Sequence, residues 1–343
     1  MAVIDIEKLL KEVSADKPCG ENLKHDVSFM ELATAAKGKP EQVMGDSTIA
    51  AQDPDWKLVQ KLSENLFSKT KDLRVAIFLI TALLHNKGIP GFSAGLSLLH
   101  KLLDQYWDTV HPELDAEDNN DPTLRMNSLE VLNDPVVIIG ILRKMPLVSM
   151  PRVGQFSLRD IEIASGKISP PADPSYVASN PALIEGVFRD CDVNELQAMY
   201  DAVEASLNTT DSINSLLKEK VGVQNSTDLD GLLKELKNIH VLLKSQLALR
   251  GAIEVDSNEE EGGKTGSVSQ VSLAGEVNTR NDVIRLLDKI CDYYQRNEPS
   301  SPVPMLLMRA KRLVNMNFME IMEDLVSDAV KQAEKIVGVD KTK

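Results

Sequence analysis

The chain has 343 residues, of which 43% are hydrophobic and 4% aromatic, and its formal net charge is −14. That hydrophobic fraction excludes disorder throughout the chain, and the length leaves room for two or three domains. The acidic charge argues against nucleic-acid binding, which needs a cationic surface to contact phosphates. Because Leu, Ile, Val, Ala and Met dominate the apolar content, we predict a mainly all-α, multi-domain helical protein.

The first five residues do not read as a secretory signal, since they provide neither a cationic start nor an apolar core. No uninterrupted apolar run reaches the ~20 residues that span a bilayer. We therefore expect a cytoplasmic protein with no direct membrane insertion.

The first predicted domain covers residues 1–168 and consists mainly of amphipathic helices. Residues 38–52 are polar and punctuated by Gly and Pro, and we interpret them as a loop. Asp53 is predicted to cap a helix that has Pro54 at its first position. Alternating apolar residues allow a small β-hairpin near 147–163.

The central part of this domain is predicted to hold two further helices. The first begins after Asp72, which can cap it, and stops at the breaker formed by residues 86–88. The second begins at Pro90 and ends near Trp107.

Four residues of this domain are candidates for a structural role or a partner contact. Trp56 and Trp107 lie at helical spacing from aliphatic residues, which favours core anchors over ligand platforms. Asp72 and Arg74 favour a helix cap with a local ion pair over a partner contact.

Ser93 lies in the pattern G-x-S-x-G, which is the nucleophile elbow of α/β-hydrolases. The elbow requires a strand before the serine, whereas a helical pattern, a breaker and Pro90 precede Ser93. We therefore interpret Ser93 as structural and keep a serine hydrolase as the alternative from another class. Gly91 and Gly95 would let a neighbouring helix approach closely.

We predict no metal site, no cofactor and no catalytic residue. The five histidines are scattered without metal-ligand spacing, and the three cysteines, at positions 19, 191 and 291, are far apart. The acidic loop at 110–121 lacks the central Gly and the closing Glu of an EF-hand loop.

The chain then passes through a predicted middle helical domain, at 176–255, into a flexible linker. The clearest element of the middle domain is a long amphipathic helix from Leu229 to Leu247. Residues 256–276 are rich in Glu, Gly and Ser, a composition too polar to form a core, so they are predicted to be the flexible linker.

The C-terminal segment, 277–343, is predicted to be an oligomerisation domain. A connector with three prolines in six residues, 299–304, separates two amphipathic helices, of which the second opens near Val303. A segment of about 65 residues is marginal alone, and its helices carry more apolar surface than they can cover among themselves. Self-association would cover that surface, and identical head-to-tail contacts can close into a ring. The interface candidates are Tyr293, Glu298, Pro299, Ser301, Pro302, Pro304, Arg309, Arg312 and Phe318.

Two ordered sets of motifs resemble one family. The N-terminal set resembles the ImpA-type N-terminal domain over roughly residues 10–145. It comprises PCGENL at 18–23, DPDW at 53–56, KDLRVA at 71–76, Gly91 with Gly95 and Leu96, and YWD at 106–108 with HP at 111–112. The C-terminal set resembles the last domain of the shorter TssA proteins and comprises RNDVIR at 280–285, YY at 293–294, EPSSP at 298–302, RA at 309–310 and Phe318.

The resemblance to the TssA family implies a non-enzymatic assembly component of the bacterial type VI secretion system. It implies a homo-oligomeric ring that associates with the baseplate and primes assembly of the tail tube and sheath. The implied partners are other copies of the chain and subunits of the baseplate, tube and sheath. A cap at the distal end of the growing sheath is the alternative within the same system. The implied location is the inner face of the cell envelope.

Overall fold

The described chain is mainly helical, as the composition predicts. The computed structural model describes residues 3–39, 42–44, 47–172, 176, 178–252, 287, 290, 291, 294 and 301–313. Its α-helices are α1 Ile6–Leu10, α2 Val27–Ala35, α3 Trp56–Phe67, α4 Leu73–Tyr106, α5 Thr123–Leu129, α6 Ile139–Leu142, α7 Leu158–Ala164, α8 Pro181–Asp190, α9 Val193–Val221, α10 Asp230–Leu249 and α11 Val303–Leu313. A 3₁₀ turn, Glu130–Asn133, follows α5.

The longest helix, α4, is a helical hairpin. Gly88 has φ 64° and ψ −150°, which is outside the helical region, and it breaks the helix where the sequence predicts a breaker. A Cβ added at Gly95 would lie 2.8 Å from Cγ1 of Ile80. Since 15 residues of straight helix would separate these two positions by about 22 Å, the arm after Gly88 must fold back on the arm before it. Gly95 permits the close approach, as predicted.

Within the described residues, α4 is also the one helix long and apolar enough to span a membrane by length and composition. Of its most apolar window, 67% is buried inside the protein. Together with the break at Gly88, this burial identifies α4 as the central core element of the unit.

The start of α3 differs from the prediction by two residues. Asp55, rather than Asp53, is the cap: its Oδ1 accepts from the backbone N–H groups of Lys57 and Leu58, each at 3.1 Å. Pro54 therefore lies before the helix and not at its first position. Both Asp residues can cap, and the sequence alone does not show which carboxylate reaches the free N–H groups.

The described residues also form two short antiparallel hairpins. The first, β1 Gln42–Met44 with β2 Ser47–Ile49, lies where the sequence predicts only a loop. The second, β3 Pro146–Met150 with β4 Gly154–Ser157, confirms the predicted hairpin in part. The helix α7 follows at once, so Ile161 and Ile163 belong to that helix and not to the hairpin. A capping box between Ser157 and Asp160 begins α7 and explains the early end of the strand.

Two compact units divide the chain, Met1–Gly262 and Gly263–Lys343. The first unit contains both the predicted N-terminal and middle regions, with α9 packed on α4 and α10 packed on α9. A boundary at 168/176 between independently folding domains stays a prediction. The linker at 256–276 lies outside the described residues. The core shared by the two regions includes Leu79, Leu83, Phe92, Leu99, Val203, Ile213, Leu236 and Leu243.

Candidate interaction surfaces

Asp72 and Arg74 form an ion pair at the start of α4. The buried Asp72 carboxylate accepts from the backbone N–H of Arg74 at 2.8 Å, from Nε at 3.0 Å and from a terminal guanidinium nitrogen at 2.6 Å. The Arg74 guanidinium also lies 5.0 Å from the centre of the Phe29 ring and donates to Asn22 Oδ1 at 3.1 Å. These bonds engage both side chains inside the unit. A partner contact of Asp72 or Arg74 stays a prediction.

Three of the N-terminal motifs meet beside this ion pair. The backbone N–H of Lys71 donates to the carbonyl of Cys19 at 2.8 Å, which joins the 71–76 motif to the 18–23 motif. The N–H of His111 donates to the Lys71 carbonyl at 3.0 Å, and the N–H of Leu73 donates back to the His111 carbonyl at 2.8 Å. Segments distant in sequence thus form one hydrogen-bonded cluster, which we call the motif junction (residues 19–22, 71–74 and 107–112).

Trp107 is a core residue of the motif junction and contacts a buried arginine. Trp107 is 8% exposed, and the fully buried Arg125 lies with its guanidinium 5.0 Å from the ring centre. Arg125 donates to the carbonyls of Pro112 at 2.6 Å, of Val110 at 2.8 Å and of Trp107. Burial lowers the pKa of Arg125 to about 10. Arg125 is not among the sequence-predicted candidates, although a lone arginine between Leu124 and Met126 was a signal.

Lys71 is a second buried cation at the motif junction. It is 1% exposed, and its Nζ donates to the Phe67 carbonyl at 2.5 Å. Burial lowers the pKa of Lys71 to about 8, and burial also raises the pKa of the nearby Cys19 thiol. No pattern in the sequence predicts a lysine inside the core at this position.

Trp56 lies apart from the motif junction, at the first turn of α3. Its ring is stacked on His85 with centroids 4.1 Å apart and planes at 7°. Asn86 Nδ2 donates to the Trp56 carbonyl and to Gln60 Oε1, each at 3.0 Å, just before the break at Gly88. Burial lowers the pKa of His85. Trp56 is half-buried and fixes the turn of the α4 hairpin against α3.

Ser93 is buried in the second arm of α4, and its carbonyl accepts from Ser97 Oγ at 3.0 Å. Helix precedes and follows it, so the strand–turn–helix geometry of a nucleophile elbow is not formed around this residue.

The C-terminal candidates are described only in part. Ser301 Oγ accepts from the backbone N–H of Val303 at 3.4 Å, at the start of α11, and the helix begins where the sequence predicts. Pro302 and Arg309 are exposed, and Pro304 is half-buried. The candidates outside the described residues, or without a described side chain, are Tyr293, Glu298, Pro299, Arg312 and Phe318.

The helix α11 exposes large apolar side chains. Met305 is 74% exposed, Leu306 is 66% exposed and Met308 is 54% exposed. Ile290, earlier in the same unit, is 42% exposed. An exposed apolar cluster of this kind marks an interaction surface more often than a free surface.

Comparisons with known proteins agree with the motifs. Residues 10–134 match the family model described as ImpA, N-terminal, type VI secretion system. The "Type VI secretion system component TssA1" of Pseudomonas aeruginosa is 37% identical to this chain, over 98% of this chain and 99% of the relative. The chain belongs to the TssA family.

A solved structure shows that the fold is shared. It is the N-terminal domain, including the conserved ImpA_N region, of the TssA component from Burkholderia cenocepacia, with a TM-score of 0.59 and 22% sequence identity. The similarity covers 74% of this chain and 97% of that chain. As a TssA protein, the chain is a component of the type VI secretion system, and its family is not a known enzyme family.

Proposed function

We propose that this TssA protein forms a homo-oligomeric ring through its C-terminal unit and serves as a non-enzymatic assembly hub. The ring associates with the baseplate on the cytoplasmic, inner face of the cell envelope and primes growth of the tail tube and sheath. The observation that carries the proposal is the exposed apolar cluster of α11, Met305, Leu306 and Met308.

Burial of apolar surface is worth about 25 cal/mol per Å², so covering three large side chains favours association by several kcal/mol before entropic costs. Every copy of the chain carries this apolar cluster, so the other copies are available partners that could cover it. A head-to-tail contact, in which the apolar cluster of one copy packs on a different surface of the next, forms a ring when its repeated rotation closes.

The hub would act through multivalency. Each copy carries an N-terminal unit that binds a baseplate, tube or sheath subunit weakly, and the 256–276 segment connects that unit to the ring. Linking weak sites raises their effective concentration, so their combined attachment is far stronger than each contact alone.

Light scattering tests the ring. The full-length chain is expected to give a mass several times that of one 37.8-kDa copy, and a chain ending near Val255 is expected to be much smaller. A shortened chain as large as the full-length one would place self-association in the first unit and refute the proposal.

Fluorescence microscopy tests the role. A tagged chain is expected to form foci with the baseplate that persist in cells lacking the sheath subunit. Foci that require the sheath and travel with its distal end would instead support the sheath-cap alternative.

A further inference from the structure

One face of α10 carries lysines that form no ion pair with any described residue. Lys234, Lys237 and Lys244 fall with Val241 in an arc of about 80° at 3.6 residues per turn. Lys234 and Lys237 are exposed, Lys244 is half-buried and Val241 is 47% exposed. We call these four residues the lysine stripe.

The stripe is electrostatically unsatisfied within the described part of the chain. None of its lysines has a described carboxylate within 4.0 Å. No Asp or Glu occurs between positions 236 and 252. The adjacent Glu235 is bound to Arg143 at 2.8 Å, on another side of the helix.

This cationic stripe lies on a part of the chain whose net charge is acidic. Residues 1–252 contain 36 acidic and 26 basic side chains, a net charge of −10. An acidic loop lies on the same unit, and its side chains Glu113, Asp115, Glu117 and Asp118 are exposed. Among described residues, neither Glu117 nor Asp118 has a cation within 4.0 Å.

We propose that the lysine stripe of one copy binds the acidic loop of the neighbouring copy, with Val241 at the centre of the contact. The two surfaces differ, so the contact is head-to-tail and can repeat around a ring. The acidic loop carries four exposed carboxylates, of which Glu113 alone has a described basic partner within 4.0 Å, His111, so the loop complements a stripe of three lysines.

The inference deepens the proposed function and rests on it. Exposed ion pairs contribute little alone, so the contact needs copies that are already held together. A ring formed by the C-terminal units raises the effective concentration of neighbouring first units to about the millimolar range. The lysine–carboxylate contact would then set the order of those units around the ring.

Zero-length carbodiimide coupling of the full-length protein tests the contact, because it joins an amine only to a carboxylate that touches it. Peptides linking Lys237 or Lys244 to Glu117 or Asp118 are expected in covalently joined chains and not in the single-chain band. Their yield is expected to fall strongly at 1 M salt, where the screening length is ~3 Å.

Charge reversal tests whether the linked lysines and carboxylates attract each other across the contact. K237E/K244E and E117K/D118K are each expected to lower the yield of joined chains about fivefold or more, the effect of losing one or two ion pairs. The combined exchange of all four residues is expected to restore it. The matched control is K57E/K61E, which reverses two exposed lysines four residues apart on α3.

The outcomes are distinguishable. An oligomer by light scattering without these linked peptides overturns this inference and leaves the ring intact, whereas a monomer overturns both. Lysine–loop peptides in the single-chain band would show that the same copy occupies the stripe, and links from the lysines to Glu259, Glu260 or Glu261 would show that the 256–276 segment occupies it; either result would also overturn the inference.

Discussion

The guanidinium of Arg125 lies 5.0 Å from the centre of the Trp107 ring and donates to the Trp107 carbonyl. The side chain of Arg125 thus fixes both the ring of Trp107 and the backbone of the segment 106–112. The pairing explains why an arginine is tolerated at 0% exposure although no described carboxylate forms an ion pair with it within 4.0 Å. Three carbonyl oxygens and an aromatic face replace the water that burial removes.

Arg125→Ala is expected to destabilise the protein by about 3–5 kcal/mol, because it leaves three buried carbonyls without donors and opens a cavity. The measurement is denaturant unfolding followed by tryptophan fluorescence. The exposed Arg189, which pairs only with its neighbour Asp190, is the control, and Arg189→Ala should leave the midpoint unchanged. Equal effects of the two variants would contradict the role assigned to Arg125.

Lys71 makes stability depend on pH. Between pH 8 and 10.5 the unfolded chain holds a proton on Lys71 that the folded chain has released, so the free energy of unfolding rises with pH through this residue. The slope is at most about 1.4 kcal/mol per pH unit. The raised pKa of Cys19 contributes with the opposite sign, so the test is the difference between the native protein and Lys71→Met.

The free energy of unfolding of the native protein, minus that of Lys71→Met, is expected to increase as pH rises from 8 towards 10.5 and to be constant below pH 8. Lys69→Met, at an exposed neighbouring position, should leave the pH profile of the native protein unchanged. A flat difference across the whole range would show that Lys71 keeps its proton in the folded state.

Gly95→Ala is expected to destabilise the protein by about 1–3 kcal/mol, because the new methyl group would lie 2.8 Å from Ile80 Cγ1 and 3.2 Å from Ile80 Cα. Gly186→Ala in α8 is the matched control. A Cβ there meets nothing within 4 Å, and the change should stabilise the helix by about 0.5–1 kcal/mol. Thermal unfolding is the measurement: the melting temperature is expected to fall for Gly95→Ala and to rise for Gly186→Ala.

M305S/L306S/M308S is expected to lower the mass of the full-length protein in light scattering towards that of one copy, because the substitutions remove the apolar surface that association would cover. V223S/L249S is the control, since Val223 is 75% exposed and Leu249 is 81% exposed in the first unit. Its mass should equal that of the native protein. An unchanged mass for the α11 variant would exclude this helix from the interface.

Ser93→Ala is expected to change stability by less than about 0.5 kcal/mol and to leave type VI secretion intact. Loss of secretion by a variant that remains folded and keeps its native mass would revive the hydrolase alternative.

The sequence predicted those features that depend on local rules. Helical periodicity gave α10, the Asp72 cap gave the start of α4, and the breaker at 86–88 gave the hairpin turn. The start of α3 was misplaced because Asp53 and Asp55 satisfy the same capping rule, and only the three-dimensional path decides between them.

The same local rules do not predict contacts between segments that are distant in sequence. The stacking of Trp56 on His85 joins positions 29 residues apart. No local pattern in the sequence indicates that these two rings pack together. The burial of Lys71 likewise depends on segments that reach it from Cys19 and His111. A lysine in a polar-looking motif is normally solvated, so its environment could be known only after the chain was folded.

Gly88 has a consequence for the size of the first unit. Without the break, α4 would be a rod of 34 residues, about 51 Å from end to end. Folded at Gly88, the two arms of α4 cover part of each other, and α3 and α9 pack on faces that remain. Gly88 therefore allows the apolar helix α4 to bury part of its surface against itself before any other helix packs on it.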